Sequence, residues 1–331
     1  MSEAYRRAGV DLEAAAAAVA RIREIAAGAV RPETVEGVGG FAGLFDLGEG
    51  RLLAAATDGV GTKLEIAREM GRLDTVGIDL VAMCANDVVC TGAEPLFFLD
   101  YLAVGKLVPD EVASLVEGVA EGCRQAGCAL LGGETAEHPG VLQPGRFDLA
   151  GFCVGLVGRD DVLGPARVTE GDVLLGLTSS GLHSNGFSLV RRVVEETELD
   201  LGADPGGLGR TLGEALLEPT RIYVPEVLSA ARTGGLHAAA HVTGGGIPEN
   251  VGRILPPGLA ARLDRGSWEA PAVLETLSRA GELADTDVVS TFNVGLGMVL
   301  AVDAAGADAV RSALPDARTV GEVAAGEGVW L

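Results

Sequence analysis

The stretch from Arg51 to Gly71, RLLAAATDGVGTKLEIAREMG, passes from a strand-like apolar run through two glycines into a helix-like run. The same order returns in the second half at LHAAAHVTGGGIPENV. A strand that enters a helix through a glycine-rich loop belongs to neither a helical bundle nor a hairpin meander. Each such unit needs a sheet to hold the strand and a helix layer to cover it. The feature predicts an α/β (α+β) chain, with one such unit in each half.

The flanking segments agree. DLEAAAAAVARIREIAAGAV reads as a helix by propensity, and GIDLVAMCANDVVCTGA as a mostly buried helix stopped at Gly92. PLFFLDYLAVG reads as a strand rich in aromatics, and DEVASLVEGVAEGCRQAG, opened by Pro109, as the next helix. CALLGG and FDLAGFCVGLVG read as strands. After them DVLLGLTSS, LHAAAHV and GMVLAVD read as strands, while NGFSLVRRVVEE, EPTRIYVPEVLSAAR, PENVGRIL and APAVLETLSRAG read as helices. The charged, turn-rich stretch Gly158 to Gly171 divides the halves and predicts domains at 1–165 and 166–331.

A net charge of −22 argues against a nucleic-acid partner, which asks for a basic face. No run of eighteen or more uncharged apolar residues is present, so no membrane span is expected. The N-terminus carries acids and arginines where a signal peptide needs an apolar stretch. Five cysteines, an odd number without a CxxC pair, argue against a structural zinc site; Cys84, Cys90 and Cys153 lie in apolar runs and read as small core residues, and a reduced, cytoplasmic compartment is expected. An acidic chain that handles an anionic ligand must supply positive charge locally.

Five places offer such chemistry. In Asp58-Gly59-Val60-Gly61-Thr62-Lys63 the glycines let backbone N–H groups approach a phosphate, Lys63 can reach it, and Asp58 can hold Mg²⁺. The alternative is a tight turn with an exposed lysine. In LVAMCANDVVCTGAEP, Asp79 and Asn86 share a helix face, and Asp58, Asp79 and Asp87 would converge on one cation, unless an aspartate serves as a cap or a salt-bridged core group. In LLGGETAEHPG the strand ends at Gly132-Gly133 and Glu134 is a further metal ligand, while Glu137 and His138 read as a surface turn. In TSSGLHSNGFS, Ser179, Ser180, Ser184 and Asn185 present polar groups to a ligand and His183 is a candidate general base, with a plain Asn185 helix cap as the alternative. Gly244-Gly245-Gly246 reads as a second phosphate cradle.

Taken together these residues resemble phosphoribosylformylglycinamidine cyclo-ligase, also called AIR synthetase. The resemblance spans nearly the whole chain, through YRRAGVD, GVGGFAGLFDL, TDGVGTKL, GIDLVAMCANDVVCTGAEPLFFLDYLAVGKL, GGETAEHPG, DLAGFCVGLV, SSGLHSNGFSLVR, LLEPTRIYV, AHVTGGGIPENV and TFNVGLGM. The D-x4-G-A-x-P pattern from Asp87 to Pro95 is the ATP-site signature of a wider superfamily that includes selenophosphate synthetase and thiamine-monophosphate kinase. SSGLHSNG and GGETAE together point to the cyclo-ligase.

The resemblance implies an N-terminal domain that pairs with a second copy into a shared β-barrel, and a C-terminal α/β domain with a mixed sheet. It implies ATP-dependent closure of formylglycinamidine ribonucleotide to aminoimidazole ribonucleotide, with ATP and Mg²⁺ as cofactors. Gly59, Gly61, Thr62, Lys63, Asn86, Asp87 and Gly92 would bind ATP. Asp58, Asp87 and Glu134 would hold the metal, and His183, Lys63 and Asp58 would be catalytic. Ser184, Asn185, Thr243, Gly244, Gly245, Gly246 and Asn293 would bind the ribonucleotide. Lys106 falls in another matched stretch. The chain departs from the pattern at Ala27-Gly28-Ala29, where the family carries Lys and Thr in a segment that folds over the nucleotide, and at His138 and Pro225. A selenophosphate synthetase needs a reactive Cys near its N-terminus, and none precedes Cys84. A non-catalytic nucleotide-binding scaffold would not need Asp58, Asp87, Glu134 and His183 together.

Overall fold

The computed structural model describes residues 3–331, so residues 1 and 2 of the expected first domain lie outside the described part. The N-terminal part runs α1 (Glu3–Arg7), α2 (Leu12–Ala26), β1 (Thr34–Glu36), β2 (Gly43–Gly48), β3 (Arg51–Gly59), α3 (Lys63–Met70), α4 (Asp74–Cys90), β4 (Glu94–Val104), α5 (Pro109–Ala126), β5 (Ala129–Glu137) and β6 (Phe147–Gly158). Its sheet has the order β1-β2-β3-β6-β4-β5, with β4 and β5 parallel and the other neighbours antiparallel.

Helices α4 and α5 cover one face of this sheet. They meet backbone to backbone: a Cβ at Gly77 would strike the main chain of Leu115 to Val119, and one at Gly118 the carbonyl of Asp74. Side chains on a strand alternate faces, so Phe98 and Leu102 point inward and are fully buried. Tyr101 and Phe152 point to the other face and stay 39% and 40% exposed.

The second part runs β7 (Val173–Thr178), α6 (Phe187–Glu196), α7 (Leu212–Leu216), α8 (Val224–Ala231), β8 (Leu236–His241), α9 (Gly246–Gly252), β9 (Leu259–Leu263), α10 (Ala272–Ala280), α11 (Asp285–Thr291), β10 (Leu296–Val302), α12 (Ala307–Ala313), β11 (Arg318–Ala325) and β12 (Gly328–Trp330). Its sheet, β12-β9-β11-β7-β10-β8, is also mixed, with β9 and β12 parallel. Every residue of β10 is buried, as the unbroken apolar run Leu296 to Val302 requires. The chain is thus two α/β units with mixed sheets. No helix among the described residues is long and apolar enough to cross a membrane.

Two expected elements differ. The helix expected over EPTRIYVPEVLSAAR begins only at Val224, with Pro225 in its first turn. Residues 218–223 stay outside the helix because Thr220, Arg221 and Tyr223 bond to the first unit. The strand expected to end at Gly132-Gly133 continues to Glu137, because β4 offers a parallel partner along that whole length.

Candidate active site

The junction between the two units is built from α4. The Asn86 amide accepts from the Tyr223 N–H at 2.8 Å and donates to the Arg221 carbonyl at 3.0 Å. Asp79 accepts from the Thr220 N–H at 2.7 Å and from its hydroxyl at 2.6 Å. The 218–223 segment is therefore stitched to one face of α4.

Lys63, at the start of α3, points into this junction and is fully buried. Its ammonium donates to Asp79 Oδ1 at 2.9 Å, to the His183 carbonyl at 3.1 Å and to the Glu218 carbonyl at 2.8 Å. Asp79 Oδ2, 2.8 Å away, makes a charge contact without hydrogen-bond geometry. Burial pushes the Lys63 pKa down against the opposing pull of Asp79. An ammonium has three protons, and all three are committed. The expectation that Lys63 reaches a phosphate is corrected: its charge is spent on joining the two units. Asp79 is likewise withdrawn from the expected cation site.

Asp87 and His241 form the next pair. His241, at the end of β8, is fully buried, with Nδ1 2.9 Å from Asp87 Oδ1. Its Nε2 lies 3.3 Å from the Asn86 amide nitrogen. One tautomer satisfies both contacts: Nδ1–H donates to Asp87, and Nε2 accepts from Asn86. This corrects the assignment of Asn86 to ATP, since the amide is used on both sides. His241 was not singled out from the sequence, although a polar ring closing the apolar strand LHAAAHV was a readable signal.

A cleft of about 530 Å³ opens beside this junction. Asp58, Gly59, Gly61 and Thr62 line one wall, Ser184, Asn185 and Thr243 the other, and Tyr5 and Asp148 complete it. The sequence assigned no role to Tyr5 or Asp148. Asp58 has its pKa raised to about 6, first by burial and then by the charge of Asp87, while the Gly59 N–H opposes the rise. The Asn185 amide nitrogen is buried without a hydrogen-bond partner and belongs to the cleft wall. The lining carries two carboxylates and no lysine or arginine.

Several expected site residues stand elsewhere. Glu134 is paired with Tyr101 across β5 and β4, on the outward face, whereas Asp58 is paired with Gly151 on the inward face. The sheet itself separates Glu134 from Asp58 and Asp87, and no group of three metal-ligating side chains forms among the described residues. His183 is 1% exposed with a positive φ of 61°, and its Nε2 accepts from the Ser180 N–H at 3.3 Å. Burial, with the charges of His241, Lys63 and Arg221, holds its pKa well below the usual range. The ring is neutral but turned into the junction, so it is not poised as the base of the cleft.

Asn293 is a buried brace, donating to the Gly181 carbonyl at 2.9 Å and accepting from the Gly295 N–H at 2.9 Å. Gly92 caps the end of α4 with φ 83° against Asp161 and Leu163, away from the cleft. Gly244, Gly245 and Gly246 are held from behind by Asn250, and the Glu249 carboxylate packs over Gly245, which opposes a phosphate there. Of that turn only Thr243 lines the cleft.

Residues 39–157 match the family described as AIR synthase related protein, N-terminal domain, and residues 169–330 the one described as AIR synthase related protein, C-terminal domain. Among solved structures, thiamine-monophosphate kinase from Stenotrophomonas maltophilia K279a is 22% identical with a TM-score of 0.62, covering 94% of this chain and 95% of that one. HypE from E. coli is 22% identical with a TM-score of 0.62, over 91% of this chain and 88% of its own. AaThiL complexed with AMPPCP and TMP is 16% identical with a TM-score of 0.65, over 93% and 91%. At these identities the likeness is one of fold.

Proposed function

The chain belongs to the AIR synthase related family, a group of ATP-utilising enzymes, through both of its units, and from that premise we propose that it closes formylglycinamidine ribonucleotide to 5-aminoimidazole ribonucleotide, releasing ADP and phosphate. One observation carries the reading. The glycine loop after β3 and the Ser184-Asn185 loop after β7 come from different units yet line a single cleft. A reaction with two anionic reactants, a nucleotide and a phosphorylated substrate, needs such a meeting place.

In this reading the N–H groups of Val60, Gly61 and Thr62 receive phosphate oxygens of ATP, while the Gly59 N–H is given to Asp58. The cleft lining has no cation of its own, so the nucleotide must arrive with its counter-charge. Asp58 and Asp87 fit that need. The Asp58 pKa rises first through burial and then through the charge of Asp87, so the two carboxylates lie near each other, although Asp87 is not part of the cleft lining. Mg²⁺ is commonly held by one or two carboxylates with phosphates and water completing its shell, so Glu134 is not required. When bound, the ion would neutralise charge on the transferring phosphoryl group. His241 holds the Asp87 carboxylate in place through its Nδ1–H. The unpartnered Asn185 amide donates to the ribonucleotide, with Ser184 and Thr243 beside it. The formyl oxygen takes the γ-phosphoryl group. The substrate's own amidine nitrogen then attacks that carbon, closing the ring and expelling phosphate. The protein's share is orientation and exclusion of water.

The same reading includes a homodimer through the outward sheet face, where Leu99, Tyr101, Ala150 and Phe152 are neighbours across β4 and β6. A second copy is the occupant that covers such a face with matching chemistry.

The experiment is an ADP-release and product assay. ADP release that depends on formylglycinamidine ribonucleotide, with aminoimidazole ribonucleotide formed in equal amount, is the expected result. Equal ADP release with and without that substrate, or release driven by thiamine monophosphate, overturns the assignment.

A further inference from the structure

The end of α5 holds a group of thiols that the proposed reaction does not use. Gly127, at φ 70°, turns the chain out of the helix. Its N–H bonds to the Arg124 carbonyl at 3.3 Å, and the Cys128 N–H bonds back to the Cys123 carbonyl at 3.0 Å. This pair of bonds is the Schellman closure, which brings the side chains at Cys123 and Cys128 against each other. That contact is ordinarily made by two apolar residues, and here both are cysteines. The Cys128 thiol lies near enough to Cys123, and to Cys153 on β6, for each to act on its titration.

The three thiols are not equivalent. Cys123 and Cys153 are buried, while Cys128 is partly exposed. The neighbouring Cys123 thiol, and after it Cys153, hold the Cys128 thiol below the usual thiol range. The same contacts, with burial, push Cys123 and Cys153 up. Asp100 and Cys84 are the other titratable groups that act on this cluster. All five cysteines are free, and no metal-ligating group of three forms among the described residues.

We propose that Cys128 and Cys123 form a dithiol modification site that hydrogen peroxide converts to a disulfide. The Cys128 sulfur attacks the peroxide, the O–O bond breaks, and water leaves with the thiol proton, giving a sulfenic acid. The Cys123 sulfur then attacks the Cys128 sulfur, the S–O bond breaks, and a second water leaves with the Cys123 proton. Two thiols are oxidised and one peroxide is reduced. Cys123 is the resolving partner because forming the bond requires one main chain to shift. Cys153 sits on a strand bonded to β3 on one side and β4 on the other, opposite Ala56 and Phe98. The last turn of a helix and its exit loop open at much lower cost than a central strand.

The test uses the whole reduced protein. It is treated with hydrogen peroxide, blocked with N-ethylmaleimide under denaturing conditions, digested with trypsin and read by mass spectrometry. Cleavage after Arg124 puts Cys123 in peptide 107–124 and Cys128 in peptide 125–146. The expected product is these two peptides joined, with Cys90 still carrying maleimide. Cys123→Ser stops the sequence at a Cys128 sulfenic acid that dimedone traps. Both peptides emerging with maleimide after peroxide overturns the proposal, as does a bond from Cys128 to Cys153 in peptide 147–159.

Discussion

The Lys63 ammonium donates to Asp79 Oδ1 at 2.9 Å, both side chains fully buried, and the lysine's other two protons go to carbonyls of the second unit. Lys63→Met leaves Asp79 as an uncompensated buried charge, which costs about 3–5 kcal/mol. Equilibrium urea unfolding should show that loss. An unchanged midpoint together with a raised KM for ATP would return Lys63 to the phosphate.

Asn185 carries a buried amide nitrogen with no partner in the free protein. Removing an unsatisfied donor costs the fold little, whereas removing a ligand contact costs about 1–1.5 kcal/mol, or about tenfold. Asn185→Ala should therefore keep its unfolding midpoint within about 1 kcal/mol and raise the KM for the ribonucleotide. A fall in stability with unchanged kinetics would make Asn185 a brace.

Asp87→Asn keeps the shape that the His241 Nδ1–H recognises and deletes the charge a divalent ion needs. Turnover at limiting Mg²⁺ should fall by more than about tenfold, equivalent to about 1.4 kcal/mol, while circular dichroism is unchanged. Wild-type turnover under those conditions would leave Asp87 with only its histidine.

Asp58 binds its proton more tightly folded than unfolded, with a pKa of about 6 against 3.8. Its contribution to the stability of the metal-free protein is complete below 3.8 and is lost as pH rises through about 6. The thermal midpoint of wild type relative to Asp58→Asn should therefore fall between those values as pH increases. Parallel profiles for the two proteins would show that Asp58 titrates normally.

Phe152 and Tyr101 leave two rings on an open sheet face, and burying each contributes about 1.5–3 kcal/mol. Phe152→Glu should convert a dimer into a monomer in sedimentation equilibrium at micromolar protein. A wild-type protein of monomer mass would refute the dimer, and an unaffected dimer in the variant would place the interface elsewhere.

Local chemistry was enough to read the α/β class, most of the elements and the two loops that line the cleft. Periodicity, glycine position and helix stops act over a few residues, and nothing distant overrode them in α4, β4 or β10. The Asp58 to Thr62 loop and the Ser184-Asn185 pair were likewise legible as polar breaks between strand and helix. Direction was not legible. A lysine after a glycine loop looks the same in sequence whether it faces solvent or a carboxylate sixteen residues on. Lys63 turns inward because docking the second unit brings the His183 and Glu218 carbonyls to it and removes the water that would otherwise solvate it. Segment 218–223 is kept out of the helix for the same reason, since α4 takes its hydrogen bonds and no local propensity records that. Glu134 and Asp58 sit on opposite sides of one sheet because strand pairing set their register, and register is a long-range property. Asp87 found His241, 154 positions on, only when the intervening chain had folded back to bring β8 against α4.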